Sequence, residues 1–400
     1  MVYVGVDIGK EKHAIAAVDA AGSVLAAPRF INQDATGFAS LIAQLNDLGG
    51  PEGVLVAMEA TGHYWKALRS ELEMHGYRAD TINPLITSRE ASADVRGRKT
   101  DKLDALAIAR VARRGGYSAA PSRDAAYDAL KSLVRQRRHL VRRRTEAKMR
   151  YSCCLDVVFS EAVRTFEDIY SATAQAVMER FPSARLIAEA DIRSLTTTTA
   201  KASGGQLART FADTLRDAAR CSVSRAIINE GEEFAITQLV AEIRVMDEQI
   251  RQVNERIEAC EAPEAARLLQ SIKGAGKILP RIVAAEIGDL ARFAGPRMSS
   301  RVLAFAGCEP RVRESGSWRG KVKMSKRGNA NFRHSLYLMA GTVRLNSPCF
   351  NVIYQSQIAK GKHHTVAMSH VMRKLIEVMC GMYKTGKLFI PPQTGVPACS

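Results

Sequence analysis

The sequence predicts an α/β domain followed by a mostly helical remainder. Three observations carry this. The first residues, to about 115, read as strand, strand, strand, helix, strand, helix, strand, helix. Beyond them the recognisable segments have helical periods. Lysine and arginine number 58 against 41 acids, a net charge of +17 over 400 residues, which points to a polyanionic partner such as nucleic acid.

The elements follow in order. Val2–Asp7 is an apolar strand ending in an acid, and strands follow at about His13–Asp19 and Val24–Phe30. Tight connections at Ile8-Gly-Lys10 and Ala21-Gly-Ser23 make these three an antiparallel meander. Ala35–Leu48 carries apolar residues at helical spacing and stops at Gly49-Gly-Pro51. Val54–Met58 is a buried strand with Glu59 at its end, a helix runs from about Tyr64 to Met74, and Ala79–Ile82 is a fifth strand. Asp101–Arg113 closes the series as a helix, with Thr100 as its N-cap.

Asp101 and Asp104 are three residues apart, so a helix stacks both carboxylates on one face. One ordinary reading is that Asp101 simply complements the helix dipole. Asp7 and Glu59 end strands, and sites in α/β sheets gather at strand ends beside helix termini. Arg96, Arg98 and Lys99 come just before the aspartate pair. Acids on one face beside a basic approach suit a divalent ion shared between protein and phosphate.

Leu133–Arg150 sets Arg135, Arg137, Arg138, Arg142, Arg143, Arg144, Lys148 and Arg150 against the lone acid Glu146. Solvated helices usually mix both signs, so a phosphate-binding face is expected, on RNA or DNA. Residues 151–235 are the least informative, and the stretches Ser-Leu-Thr-Thr-Thr-Thr and Ala-Ser-Gly-Gly read as loops. Leu239, Ile243, Met246, Ile250, Val253 and Ile257 step by 4, 3, 4, 3, 4, a heptad seam that suits a coiled coil or an internal helix against the core.

Lys273-Gly-Ala-Gly276 lies between two helices and reads either as a phosphate-approaching hairpin or as a tight helix–helix turn. From Arg311 to Arg333 eight basic residues face Glu314 alone, with Ser315 and Ser317 beside glycine in a flexible cationic loop. Composition by itself favours serines that only donate hydrogen bonds to phosphate. Thr365–Met382 reads as a packing helix, and His363, His364 and His370 have no partner spacing for a metal.

Eight cysteines show no Cys-x-x-Cys spacing, so they are expected to be reduced thiols in a cytosolic protein without a zinc site. The chain begins directly in a strand, so no signal peptide is expected, and no apolar run approaches a membrane span.

Asp7, Glu59 in Met-Glu-Ala-Thr-Gly62, and Asp101-Lys-Leu-Asp104-Ala resemble the D-E-D-D set of insertion-sequence transposases of the IS one-ten and IS eleven-eleven type, also called bridge-RNA-guided recombinases. Phe305-Ala-Gly-Cys-Glu-Pro310, Glu314-Ser-Gly316 and Ser325-Lys-Arg-Gly328 resemble that family's C-terminal motif. The resemblance implies a RuvC-like, ribonuclease-H-fold domain over residues 1–150 that includes the basic helix. It further implies a helical insertion over 151–235, a dimerising coiled coil over 236–262, and a helical transposase domain with a helix-hairpin-helix-like element over 263–390. It implies magnesium held by Asp7, Glu59, Asp101 and Asp104, and Ser315 as the nucleophile, with Ser317 the nearby ambiguity.

The expected activity is cutting and rejoining donor and target DNA through a phosphoserine ester, guided by a non-coding bridge RNA. The expected assembly is a homodimer or dimer of dimers on the bacterial nucleoid, with no membrane. Arg135, Arg138, Arg142, Arg143, Arg319, Lys321, Lys323, Lys326 and Arg327 are the expected nucleic-acid contacts. Two rivals are a metal-dependent nuclease of branched DNA and a non-catalytic nucleic-acid scaffold.

Overall fold

A computed structural model describes residues 1–59, 62–82, 86–87, 100–115, 117, 125–207, 209–226, 228–311, 314–315, 318–319 and 323–392. Arg96, Arg98, Lys99, Ser317 and Lys321 lie outside the described residues, as do Ala60 and Thr61 of the Glu59 motif. The chain forms two compact units, Met1–Arg123 and Asp124–Ser400. Among the described residues, no helix is long and apolar enough to cross a membrane.

The first unit is a mixed five-stranded sheet in the order β3-β2-β1-β4-β5. Its strands are β1 (Val2–Ile8), β2 (Lys12–Val18), β3 (Val24–Asn32), β4 (Val54–Glu59) and β5 (Arg78–Ile82). β1–β2 and β2–β3 pair antiparallel, whereas β4 joins β1 in parallel and β5 joins β4 in parallel. Side chains alternate between faces. Val4, Val6, Val56 and Met58 point to one face and pack with α1 (Ala35–Asp47) and α2 (Trp65–Met74). Leu55, Ala57 and Ile82 point to the other, against Ile108, Val111 and Ala112 of α3 (Asp101–Arg114). Asp34 caps α1 through the Gly37 amide, and Thr100 caps α3 through the Leu103 amide, as the sequence predicts for Thr100.

His13 is fully buried on β2 in the α1 face, its ring stacked on Phe38 at 6.0 Å. Neither ring nitrogen has a hydrogen-bond partner among the described residues, and burial pushes its pKa below the ordinary value. The folded state therefore takes up this proton later than the unfolded chain as pH falls. Above about pH 6.5 both states are neutral and nothing is gained or lost; below it stability falls, by up to about 1.4 kcal/mol per pH unit. Hydrogen-exchange protection of the β2 amides is expected to drop between pH 6.5 and 5.5, and His13→Leu to flatten that drop.

The second unit is helical around two long helices, α4 (Ala125–Val158) and α5 (Glu230–Ala259). They pack side by side, and Arg137 meets Asn254 (2.6 Å) while Arg144 meets Asp247. Numbers rise along one helix as they fall along the other, so the pair is antiparallel. Between them the chain folds into shorter helices, including Ala172–Arg180 and Arg209–Cys221, whose apolar faces share a core with Tyr151 and Leu155.

The heptad seam is filled within the chain: Leu239, Ile243 and Met246 are buried in a core with Tyr151 and Leu155, and Val253 and Ile257 meet Leu130 and Val134. A 4-3 repeat requires an apolar partner helix but does not say which chain supplies it. Ile250 is 6% exposed, so Ile250→Asp buries an unpaired charge and is expected to cost about 3 kcal/mol or more. Helicity should fall cooperatively on thermal melting; smaller particles with full helicity would instead return the seam to an interface between chains.

The Thr-rich stretch read as a loop is helical, Ile192–Ala202, capped by Asp191. Thr196, Thr197 and Thr198 donate their hydroxyls to carbonyls four residues back, at 2.7–2.9 Å, which removes the threonine objection to a helix.

The C-terminal part stacks α6 (Glu264–Gln270), α7 (Ile278–Ile287), α8 (Met298–Ala306), α9 (Ala330–Asn346), α10 (Pro348–Ala359) and α11 (His364–Thr385) around one apolar core. Between α8 and α9 lie four two-residue strands, β6 (Pro310–Arg311), β7 (Glu314–Ser315), β8 (Trp318–Arg319) and β9 (Lys323–Met324).

Candidate catalytic and nucleic-acid-binding sites

The acids of the first unit are positioned by strand register. Val6 and Met58 are the last pair of the parallel β1–β4 ladder, so Asp7 and Glu59 come next on neighbouring strands. By alternation Asp7 shares its face with Gly5, and Glu59 with Leu55 and Ala57, which is the α3 face.

α3 lies very close there: a Cβ added to Gly5 would stand 2.1 Å from the Ala105 carbonyl oxygen and 2.3 Å from the Ala109 amide nitrogen. Only glycine admits that approach. The helix runs against the direction of β1. Its last turn reaches the β2–β3 connection, where Arg113 donates to the Ala20 carbonyl at 3.2 Å. Its first turn reaches Phe30, whose ring lies 5.6 Å from the Lys102 ammonium. Phe30 pairs with Ala14, and Ala14 with Asp7. The first turn of α3, carrying Asp101 and Asp104, therefore lies over the carboxyl end of β1.

Asp104 and Asp7 are half-buried and Asp101 is exposed. Glu59 is half-buried, and its Oε2 accepts a 2.6 Å hydrogen bond from the Thr87 hydroxyl. Sequence reasoning missed Gly5 and Thr87. The first had a signal, a glycine inside a strand pattern; the second had none.

Hard oxygen ligands at the carboxyl ends of parallel strands, partly shielded from water, fit a divalent cation in chemistry and placement. Among the described residues, no three histidine, cysteine or acid side chains already stand close enough to hold one ion together.

The expected serine loop is a β-hairpin in its backbone. β6 pairs with β9 as a stem, and β7 with β8 as a tip in which Ser315 pairs with Trp318. Ser315 is thus the last described residue of its strand. The base is closed by short backbone bonds, Asn329 N–H to Phe305 O at 2.7 Å and Lys326 N–H to Gly307 O at 2.9 Å. A Cβ on Gly328 would stand 2.1 Å from the Phe305 oxygen, so the two arms meet at backbone contact. Asn329 caps α9, and its side-chain amide donates to the buried Glu286 carboxylate at 3.1 Å. Gly274, by contrast, is packed on α9, where a Cβ would stand 2.8 Å from the Thr342 oxygen, whereas a Cβ on Gly276 would meet nothing within 4 Å.

The basic helix is α4, and it belongs to the second unit. Its charge is less one-sided than its own sequence suggests, because distant segments bring acids to it. Arg143 pairs with Glu242 (3.6 Å), Arg144 with Asp247, and Arg135 with the buried Glu286 (3.3 Å). A window along one helix cannot count these partners. Arg138 and Arg142 remain on the exposed face, Arg142 beside Glu146 at 3.6 Å. Arg138 donates to Asn331 in the first turn of α9, and together with burial its charge lowers the pKa of His334 there. Lys326 and Arg327 at the hairpin base are exposed.

Two family models match the chain. One, described as a transposase model with the DEDD set of IS110, covers residues 4–160; the other, described as the transposase IS116/IS110/IS902 family, covers 266–355. The chain is 25% identical to the uncharacterized 44.8 kDa protein of insertion element IS116 from Streptomyces clavuligerus, over 98% of this chain and 96% of that one. It is 27% identical to the uncharacterized 42 kDa protein of insertion element IS900 from Mycobacterium paratuberculosis, over 99% of both.

Proposed function

Because the chain belongs to the IS110/IS116/IS902 family of insertion-sequence transposases, we propose that it cuts and rejoins DNA through a covalent serine intermediate. The observation that carries this reading is Ser315 at the tip of a two-stage hairpin whose base is closed by backbone contact. A nucleophile must be held in attack geometry, and a hairpin anchored at its base does this better than an open loop.

In the proposed step the Ser315 oxygen attacks a backbone phosphorus. The new oxygen–phosphorus bond forms as the bond to a deoxyribose oxygen breaks, and the serine proton ends on the departing hydroxyl. The ester keeps the bond energy, so rejoining needs no nucleotide. Asp7, Glu59 and Asp104, with Asp101 at the rim, are the residues that would hold a divalent ion, magnesium in this reading. Such an ion supplies charge that polarises the phosphate. The first unit would then be RuvC-like, consistent with its three-strand meander extended by two parallel strands. The cations Arg138, Arg142, Lys326 and Arg327 would hold the backbone of DNA or of a guiding bridge RNA. Arg319, Lys321 and Lys323, which lie in the hairpin sequence, would join them.

The test is to incubate the protein with labelled cognate DNA, divalent ion and guide RNA, denature it, and look for label migrating with protein. Label on the protein is expected; cleavage without label would select a hydrolytic nuclease.

A further inference from the structure

Between Glu314 and Glu377 the chain has eleven lysines and arginines and no aspartate or glutamate. The hairpin uses the first half of that stretch. The second half has no role in the reading above, and it builds the turn between α10 and α11.

Lys360, Lys362, His363 and His364 are all exposed there, and neither lysine has an ion pair among the described residues. The turn is rigid. Gly361 N–H donates to the Ile358 carbonyl at 2.8 Å and Lys362 N–H to the Gln357 carbonyl at 3.1 Å, closing α10. His364 is held from both sides, Nδ1 2.8 Å from the Tyr354 hydroxyl and Nε2 3.2 Å from the Tyr337 hydroxyl. The turn also opens α11, a 22-residue helix whose N-terminus carries partial positive charge. Burial and the charges of Arg373, Lys360 and Lys362 lower the pKa of His370, so the cations crowd one spot.

We propose that this turn is a second phosphate-binding surface, which grips the backbone of double-stranded DNA. Unpaired strands are usually held by free aromatic faces on which bases stack. The aromatic residues here are already engaged: the Arg344 guanidinium lies 4.2 Å from the Tyr354 ring centroid and the His364 ring meets that ring edge-on. What is left to a ligand is exposed positive charge, which suits duplex phosphates. The surface also adjoins the cations already described. Tyr337 stands three residues beyond His334 on α9, and His334 is beside Arg138 of α4. The proposal rests on the transposase reading only for the choice of DNA as the duplex.

The test uses the full chain and a labelled duplex of arbitrary sequence, with affinity followed by anisotropy across a salt series. Lys360→Ala with Lys362→Ala should weaken binding regardless of sequence and make the logarithmic salt slope shallower by about two, near 0.9 per lost phosphate contact. Lys360→Arg with Lys362→Arg should keep the wild-type slope. Circular dichroism and thermal midpoint should stay unchanged, because both side chains are exposed. An unchanged slope in the folded alanine variant overturns the proposal. So does a loss seen on an RNA hairpin and not on the DNA duplex. Failure here is separable from failure of the serine mechanism: the alanine pair should still form the covalent adduct at saturating DNA, whereas Ser315→Ala should bind with the wild-type slope and form none.

Discussion

Ser315→Ala is expected to abolish the protein–DNA adduct and reduce strand joining by at least about 10⁴-fold, the scale seen when a nucleophile is removed. The substitution deletes one oxygen, and alanine is compatible with an extended hairpin position, so stability should stay within about 0.5 kcal/mol. DNA affinity should stay the same, since the cations are untouched. Ser317→Ala is the control. Ser315 is paired with Trp318 across the hairpin, and Ser317 lies two residues along in sequence, outside the described residues. Only one of the two serines should be essential. Loss of the adduct with Ser317→Ala alone would move the role two residues along. Full joining by the double variant would end the serine mechanism.

The second large effect is expected at the acids. Asp7→Asn and Asp104→Asn each remove a charge while keeping shape, and each should lower adduct formation by about 10²–10³-fold. Raising the divalent ion should partly restore activity if the defect is weakened ion binding, and should do nothing for Ser315→Ala. Thr87→Val removes the hydroxyl that donates to Glu59 at 2.6 Å. It should produce a smaller defect, with a shifted ion requirement and an unchanged yield at saturating ion. Wild-type activity in Asp7→Asn would separate the acids from the chemistry.

Much of the first unit was legible because its strands are long enough to show alternation and its turns contain glycine. The parallel placement of β4 beside β1, which brings Asp7 and Glu59 level, had no local signal, since parallel partners are chosen by the whole sheet. The closeness of α3 depended on one missing Cβ at Gly5. In the second unit the seam of α5 was visible but its partner was not. The arginines of α4 look unopposed within their own segment because Glu242, Asp247 and Glu286 arrive from far along the chain. In sequence the segment bearing Ser315 reads as a flexible cationic loop, because two-residue strands have no periodicity to detect. Its order comes from backbone contacts at Gly307 and Gly328.

The antiparallel pair α4–α5 has a geometric consequence. At 1.5 Å per residue its 34- and 30-residue members span about 51 and 45 Å. The small helices between them pack against one end of this double arm, on Ala147–Val158 of α4 and Ile236–Met246 of α5. Removing seven residues from each helix at facing positions would retract that end by about 10.5 Å and turn it by only about 20°. Removing five from each would swing it through roughly 140° at 100° per residue. The arm acts as a ruler graduated in double turns, and insertions or deletions within it should be tolerated by phase before they are tolerated by length.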